Sequence, residues 1–276
     1  MTPTVFDVGM HTGEDTNFYL HKGFRVIGID ANPEMIERAK RLFAKECATG
    51  QFVPVHCAIS LETGPVTVHI SEKSFWTSLN QSISTRMGLA AHTVSVPSRT
   101  LAEITAEYGV PQYIKIDVEG YDAVAIKSLR GSNLPEYISA EAECADETSG
   151  KLSDDDAAEV LNTLYSAGYR RFKLVEQDSL TVLRKDRQFF DPKPRSRFTK
   201  KFMKLTHIRS RDHFWACVRH LMFFRRGASG PFGRDLTGER LTHEDALATL
   251  SRHRADYFSL PDTAPWGFWC DWHAMK

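Results

Sequence analysis

The sequence predicts an α/β fold with a doubly wound, mostly parallel sheet, followed by a helical and basic C-terminal appendage. A short apolar strand runs into a glycine-containing turn and a helix at residues 4–16, a second strand ends in an acid near residue 30, and an apolar segment at 112–122 carries charges at its end. Strands that alternate with helices are typical of parallel sheets, whose ligands lie at the carboxyl ends of the strands. We place the sheet domain at residues 1–183 and the appendage at 184–276.

The turn after the first strand favours one class of cofactor. Its spacing is Gly9-x-x-x-Gly13, which lacks the Gly-x-Gly-x-x-Gly of dinucleotide sites. A pyrophosphate at this helix N-terminus would face the carboxylates of Asp7, Glu14 and Asp15, whereas a cofactor with an ammonium and a sulfonium would be complementary to them. The turn therefore favours S-adenosylmethionine over NAD. An ordinary strand-to-helix turn is the alternative.

The second strand, residues 24–30, ends in Asp30. An acid at this position can accept hydrogen bonds from both hydroxyls of a ribose. The alternative is that Asp30 only caps the helix that follows. That helix is predicted over residues 33–48, with Leu42 and Phe43 in its apolar stripe.

The segment 112–122 alternates apolar and charged residues. One face carries Ile114, Ile116 and Val118, and the other carries Lys115, Asp117 and Glu119. Burying charge is costly unless the charge is paired or serves a site, so we predict the reaction centre at this strand end. The alternative is a structural ion pair between Lys115 and a carboxylate. A divalent metal such as Mg²⁺, bridging Asp117 and Glu119 to the acceptor, is a further hypothesis, because hard oxygen ligands suit it.

Four segments resemble the FkbM-type methyltransferases. They are D-V-G-M-H-T-G-E-D-T from Asp7, V-I-G-I-D-A-N-P from Val26, A-I-S from Ala58 and K-I-D-V-E-G from Lys115. The resemblance covers about residues 5–175. It implies the class I S-adenosylmethionine-dependent, Rossmann-like fold and O-methylation of a hydroxyl on a sugar, glycan or natural product. The family often has Ala-Asn after D-V-G, where this chain has Met10 and His11, so the role of that Asn is open to His11.

The resemblance also implies positions for the cofactor. By role these are Asp7, Gly9 and Gly13 for the methionine end, Asp30 for the ribose, and Ala58 with Ile59 for the adenine edge. Methyl transfer would take place at Asp117 and Glu119. The complete set of predicted cofactor-binding residues is Asp7, Gly9, His11, Thr12, Gly13, Thr16, Asp30, Ala31, Ala58, Ile59 and Asp117.

Transfer to a hydroxyl needs a base that removes the proton. The candidate bases are Asp117, Glu119, Glu141 and His273. Glu141 lies near the end of a strand predicted over residues 134–143, and His273 lies in the aromatic tail, residues 266–276. If this tail is extended, Trp269, Asp271 and His273 point to one side and could wall a pocket. A strand that seals the core is the alternative.

Charge is unevenly distributed along the chain. The net charge is zero, yet residues 184–226 contain fourteen Lys or Arg against three Asp. This basic segment has three interpretations: it contacts an anionic membrane surface, it contacts a nucleic acid or polyanionic substrate, or it is a cap packed on the acidic remainder. No specific nucleic-acid motif is present. The predicted acceptor is a hydroxylated small molecule or a glycan.

Composition limits the class of protein. With 42% hydrophobic residues, the chain can bury a sizeable core. It has no apolar run of about 18 residues and no space for a signal peptide before the first strand, so we expect a soluble, cytoplasmic protein. Five cysteines without a C-x-x-C pair indicate neither a disulfide framework nor a zinc site. Two alternatives remain besides the methyltransferase: a non-catalytic binding module with the same fold, and a NAD-dependent oxidoreductase.

Overall fold

The computed structural model describes residues 2–130, 133–143, 152–189, 196–224, 228–261, 263–264 and 267–276. Residues 190–195 and 225–226 of the predicted basic segment, and Trp266 of the aromatic tail, lie outside the described residues. None of the described helices combines the length and the apolar composition that crossing a membrane requires.

The described residues form eleven strands. In chain order they are β1 (Thr4–Val8), β2 (Arg25–Asp30), β3 (Phe52–His56), β4 (Ala58–Ile59), β5 (Gly64–Ser71), β6 (Ala91–Arg99), β7 (Tyr113–Ile116), β8 (Tyr137–Glu141), β9 (Arg171–Glu176), β10 (Thr181–Leu183) and β11 (Cys270–Met275).

The described residues also form eleven α-helices. They are α1 (Glu14–His21), α2 (Pro33–Leu42), α3 (Ala44–Thr49), α4 (Gln81–Ser84), α5 (Leu101–Tyr108), α6 (Asp122–Lys127), α7 (Asp154–Ala157), α8 (Glu159–Ala167), α9 (Arg197–Thr206), α10 (Arg211–His220) and α11 (His243–Phe258). Two short 3₁₀ turns, Ser74–Trp76 and Arg86–Gly88, lie between β5 and β6.

Eight strands form one central sheet in the order β10-β9-β11-β8-β7-β1-β2-β3. The five strands from β8 to β3 are mutually parallel. The predicted mostly parallel α/β fold is confirmed. A smaller sheet, in the order β4-β6-β5, follows β3 in the chain.

The last strand, β11, lies inside the central sheet. It pairs antiparallel with β8 on one side and with β9 on the other. Trp272, at its middle, is fully buried. The aromatic tail therefore forms the core-sealing strand that the sequence left as an alternative. The division of the chain at residue 183 stays a prediction, and β11 shares its sheet with strands from before that boundary.

Residues on both faces of the central strands are buried, as is typical of a parallel sheet that is covered on both sides. In β1, for example, Val5, Phe6 and Val8 have no exposed surface. The helix predicted over residues 33–48 is divided at Phe43 into α2 and α3. The Phe43 ring turns inward and packs 5.2 Å from the ring of Phe52, while Leu42 is exposed rather than buried.

Candidate active site

A cavity of about 670 Å³ opens at the carboxyl ends of the parallel strands. Val8 at the end of β1, Asp30 at the end of β2, Asp117 just after β7 and Glu141 at the end of β8 all line it. Its volume is in the range of small-ligand and cofactor sites. The position is the one at which open α/β sheets bind their ligands.

The turn after β1 brings two strand ends into contact. Gly9 adopts a left-handed φ of 78°, and its N–H donates to the Ile29 carbonyl oxygen at 2.8 Å. A Cβ atom on Gly9 would lie 1.8 Å from the carbonyl oxygen of Asp117. A side chain at position 9 would therefore push the turn away from the chain after β7, which makes glycine a requirement of the fold here.

Asp30 holds the turn and the start of α2 at the same time. Its Oδ2 accepts from the N–H of His11 at 2.8 Å, and its Oδ1 accepts from the N–H of Asn32 at 2.8 Å. Asn32 caps α2, since its Oδ1 accepts from the N–H of Glu34 at 2.9 Å. Burial raises the pKa of Asp30 to about 6. A carboxylate has about four acceptor positions, so Asp30 retains capacity for hydroxyls in the cavity.

Beneath the cavity lies a buried charge cluster centred on Lys115. Its Nζ is 3.3 Å from Asp117 Oδ2, 3.5 Å from Asp15 Oδ2 and 3.6 Å from Asp7 Oδ1. Burial alone would lower the pKa of Lys115, but the three carboxylates raise it well above its usual value. Burial raises the pKa of Asp7, and it raises the pKa of Asp15 to about 6. The structural ion pair that the sequence left as an alternative is thus present, and it borders the cavity.

A second group of acids lies beside Asp117. Burial and the Asp117 carboxylate raise the pKa of Glu119 well above its usual value. The Arg86 guanidinium, whose Nη1 lies 3.7 Å from Glu119 Oε2, lowers this pKa but does not cancel the rise. Burial and the neighbouring acids likewise raise the pKa of Glu141 well above its usual value. Among the described residues, no hydrogen-bond partner reaches the buried Oε2 of Glu141. Two acids that line the cavity therefore hold a proton to higher pH than an ordinary carboxyl group does, as is common for groups at functional sites.

Aromatic rings form the remaining wall. Phe75 and Trp76 come from the first 3₁₀ turn, Tyr257 from α11 and Trp269 from the residue before β11. The His11 ring joins this wall, because its Nε2 lies 2.8 Å from Ser74 Oγ. The cavity thus combines flat apolar faces with acids at the strand ends.

Residues 7–171 match the model of a family described as the methyltransferase FkbM domain. The match spans more than half of the chain. The chain belongs to this family. It is therefore an S-adenosylmethionine-dependent methyltransferase, and the resemblance seen in its motifs is confirmed. A comparison with curated proteins finds no match.

Solved structures of other methyltransferases resemble this FkbM protein at low identity. Precorrin-6y C5,15-methyltransferase from Geobacter metallireducens is 11% identical, with 64% of this chain and 69% of that chain covered at a TM-score of 0.33. The predicted O-methyltransferase Atu636 from Agrobacterium tumefaciens is 12% identical, with coverages of 63% and 64% and a TM-score of 0.32. A methyltransferase from Geobacter sulfurreducens, in complex with S-adenosyl-L-homocysteine, is 12% identical, with coverages of 99% and 83% and a TM-score of 0.35.

The structure brings most of the predicted cofactor residues together. Those that line the cavity are Gly9, His11, Asp30, Ala31, Ala58, Ile59 and Asp117. Four others do not line it: Asp7, Thr12, Gly13 and Thr16. Asp7 is fully buried below the cavity, where its Oδ2 accepts from Thr16 Oγ1 at 2.6 Å. Thr12 Oγ1 donates to Glu14, and Gly13 packs at the start of α1 against Phe43. In this structure these four residues hold the turn after β1 in shape, and their contact with the cofactor stays a prediction.

Of the four candidate bases, Asp117, Glu119 and Glu141 line the cavity, and His273 does not. His273 lies in the middle of β11, opposite Ser139 of β8 and Lys173 of β9. Burial lowers the pKa of His273 to about 3, so its ring is neutral. Its place within the sheet takes His273 out of the set of candidate bases. Of the described tail residues, Gly267 and Trp269 line the cavity.

The hypothesis of a metal ion gains no support from the described part of the chain. There, no group of three or more His, Cys, Asp or Glu side chains is arranged to hold a metal ion. The carboxylates proposed as ligands face cations instead: Asp117 faces Lys115, and Glu119 faces Arg86.

Arg86 and Tyr257 are among the cavity residues that the sequence analysis did not predict. Arg86 is buried in the loop between β5 and β6, and Tyr257 lies near the end of α11. Neither position carries a local pattern that separates it from an ordinary loop cation or core aromatic. Only folding brings them to the carboxyl ends of the parallel strands.

Proposed function

We propose that this FkbM methyltransferase transfers the methyl group of S-adenosylmethionine to a hydroxyl oxygen of a sugar, glycan or natural product. When bound, the cofactor supplies an electrophilic methyl group. The observation that carries the proposal is the presence of Glu119 and Glu141 in the same cavity as Asp30 and Asp117. A hydroxyl must lose its proton as its oxygen attacks, and a carboxylate with a raised pKa is suited to accept it.

The cofactor side of the cavity fits a cation that carries a ribose. Asp30 would accept the ribose hydroxyls, and Ala58 with Ile59 would pack against the adenine. Three carboxylates surround the single Lys115 ammonium within 3.6 Å, so acidic groups outnumber the cation beneath the cavity. Such an excess of carboxylates favours binding of an ammonium and a sulfonium and disfavours a pyrophosphate.

The acceptor side fits a flat or ring-shaped molecule. Trp76, Tyr257 and Trp269 line it, and their rings would exclude water and restrict the orientation of the acceptor. Glu141 is the first candidate for the base, because its buried Oε2 has no hydrogen-bond partner among the described residues. Glu119, which already faces Arg86, is the second.

The base is tested with Glu141→Gln and Glu119→Gln. Loss of the general base lowers kcat by about 10²–10⁴-fold, while the other variant retains most of its activity. A matched control is Glu159→Gln, which removes an exposed glutamate paired with Lys127 at the surface. In the wild type, kcat rises with pH through the raised pKa of the base, because only the ionised carboxylate accepts the proton.

The reaction is tested with S-adenosylmethionine labelled with tritium in its methyl group and a panel of glycans and hydroxylated natural products. We expect label in a product whose methyl group survives mild alkali, as an ether does and an ester does not. Label on nitrogen, on carbon or in an ester would overturn the proposal of O-methyl ether formation. Tight binding of S-adenosylmethionine without transfer to any hydroxylated acceptor would instead favour the binding-module alternative.

A further inference from the structure

Among the described residues, the exposed large hydrophobic side chains are concentrated on two helices that are consecutive in the chain, α9 and α10. Fourteen large hydrophobic side chains are exposed among the described residues, and eight of them lie between residues 198 and 223. Scattered exposed hydrophobics are ordinary on a protein surface, but contiguous ones mark an interaction site.

On α9 the exposed residues form a single stripe. Phe198, Phe202 and Leu205 follow the spacing i, i+4, i+7, which places them on one face of a helix. Phe198 is 80% exposed and Leu205 79% exposed. The apolar face of this amphipathic helix therefore points to solvent and not to the core.

On α10 the i, i+4 spacing recurs. Phe214 and Val218 stand at i and i+4, and Leu221, the residue that follows α10, is 86% exposed. Trp215 lies beside this stripe and is half exposed. We refer to the two stripes on α9 and α10 together as the amphipathic surface.

Polar contacts hold α10 with its apolar side outward. Ser210, its N-cap, donates from Oγ to the Ser179 carbonyl oxygen at 2.6 Å. The neighbouring Arg209 donates from Nη1 to Asp178 Oδ2 at 2.8 Å. On the inner face, the Nε2 atom of the buried His213 lies 3.1 Å from the Phe224 carbonyl oxygen. The outward direction of the stripe is thus fixed by specific contacts.

The charge around the amphipathic surface selects its partner. Residues 196–224 contain seven Lys or Arg and a single acid, Asp212. Lys201 and Lys204 are exposed beside the stripe of α9. A second copy of the chain would bring two basic faces together. A nucleic acid would pair with the cations but would leave the apolar side chains exposed to water. Apolar stripes flanked by cations match the headgroup region of an anionic bilayer, which offers both acyl chains and negative charge.

We propose that the amphipathic surface binds the protein to membranes that carry anionic lipids. The helices lie in the plane of the interface, with Phe198, Phe202 and Leu205 among the acyl chains and Lys201 and Lys204 at the headgroups. Such helices bind reversibly, and both the apolar and the cationic groups contribute to the affinity.

The experiment is co-sedimentation of the full-length protein with vesicles of phosphatidylcholine alone and of equimolar phosphatidylcholine and phosphatidylglycerol. We expect binding to the anionic vesicles that weakens as salt is added. The triple variant Phe198→Gln, Phe202→Gln and Leu205→Gln should bind about 100-fold more weakly. The double variant Lys201→Ala and Lys204→Ala should bind about 30-fold more weakly.

The matched control is the double variant Leu42→Gln and Val110→Gln, which changes exposed hydrophobics elsewhere and should bind as the wild type does. Thermal unfolding of every variant reports whether it is folded, and the changed side chains are all exposed. The proposal would be overturned if the protein did not bind the anionic vesicles, or if it bound both kinds of vesicle equally. A triple variant that is folded and binds normally would contradict it as well. A dimer that light scattering detects in the wild type, and that the triple variant abolishes, would assign the surface to a second copy and also overturn it.

Discussion

Replacing Lys115 with methionine should expose the energetics of the charge cluster. Methionine keeps much of the length of the side chain and removes its ammonium. Two of the three carboxylates near it, Asp7 and Asp15, are almost completely buried. They would then be left in the interior without a compensating cation, and breaking a buried pair in this way destabilises a protein by about 3–5 kcal/mol.

The loss of folding stability in this variant should increase as the pH rises. Without the ammonium, the folded-state pKa of Asp7 and Asp15 rises further above the unfolded value of 3.8. A carboxyl group with a raised folded pKa contributes stability at low pH, and that stability is lost as pH rises through the folded pKa. Urea unfolding should therefore show the full loss of about 3–5 kcal/mol near pH 8 and a smaller loss near pH 5.

Lys127→Met provides the matched control. Lys127 pairs with Glu159 at 2.8 Å on the surface, where both side chains are about half exposed. Exposed pairs contribute about 0–1 kcal/mol, so this variant should lose little stability at any pH. Equal losses in the two variants, or a Lys115→Met variant whose loss does not change with pH, would refute the interpretation of the cluster.

Three further variants test the turn, the ribose position and the tail. Asp30→Ala should weaken S-adenosylmethionine binding by about 1.5–3 kcal/mol, and unchanged affinity in calorimetry would remove Asp30 from the site. Gly9→Ala places a Cβ 1.8 Å from the Asp117 carbonyl oxygen and should abolish binding and lower the melting temperature; normal behaviour in both assays would contradict this packing. Deleting residues 270–276 removes a strand from within the sheet, so the truncated chain should show no cooperative unfolding by circular dichroism, and a truncated protein that still binds cofactor would disprove this role of β11.

Local patterns in the sequence were sufficient to predict the central parallel strands. The apolar segments ending at Val8 and Asp30, and the alternation around Asp117, are properties of neighbouring residues, and parallel order then brings their ends to one edge of the sheet. Gly9, Asp30 and Asp117, which the sequence analysis named as cofactor-binding residues, all line the cavity at this edge. The family motifs lie in these same segments.

The rest depended on contacts between distant parts of the chain. An extended tail with Trp269 and His273 on one side fits an edge strand or a central one equally well, and only insertion between β8 and β9 buries the imidazole in the sheet. The ion pairs of Lys115 also depend on distant contacts, because one of its partners, Asp15, comes from α1. The apolar periodicity of residues 33–48 predicted one continuous helix. In the structure Phe43 packs against Phe52, and the helix is divided there into α2 and α3.

Titration calorimetry of the purified protein with S-adenosylmethionine tests the central claim most directly, because the claim is that the cavity bordered by the Gly9 turn and Asp30 binds this cofactor. We expect one binding site per chain for S-adenosylmethionine and for S-adenosylhomocysteine, a weaker site in Asp30→Ala, and no heat of binding with NADH. Binding of NADH by the wild type, with no binding of S-adenosylmethionine, would contradict the assignment of the cavity.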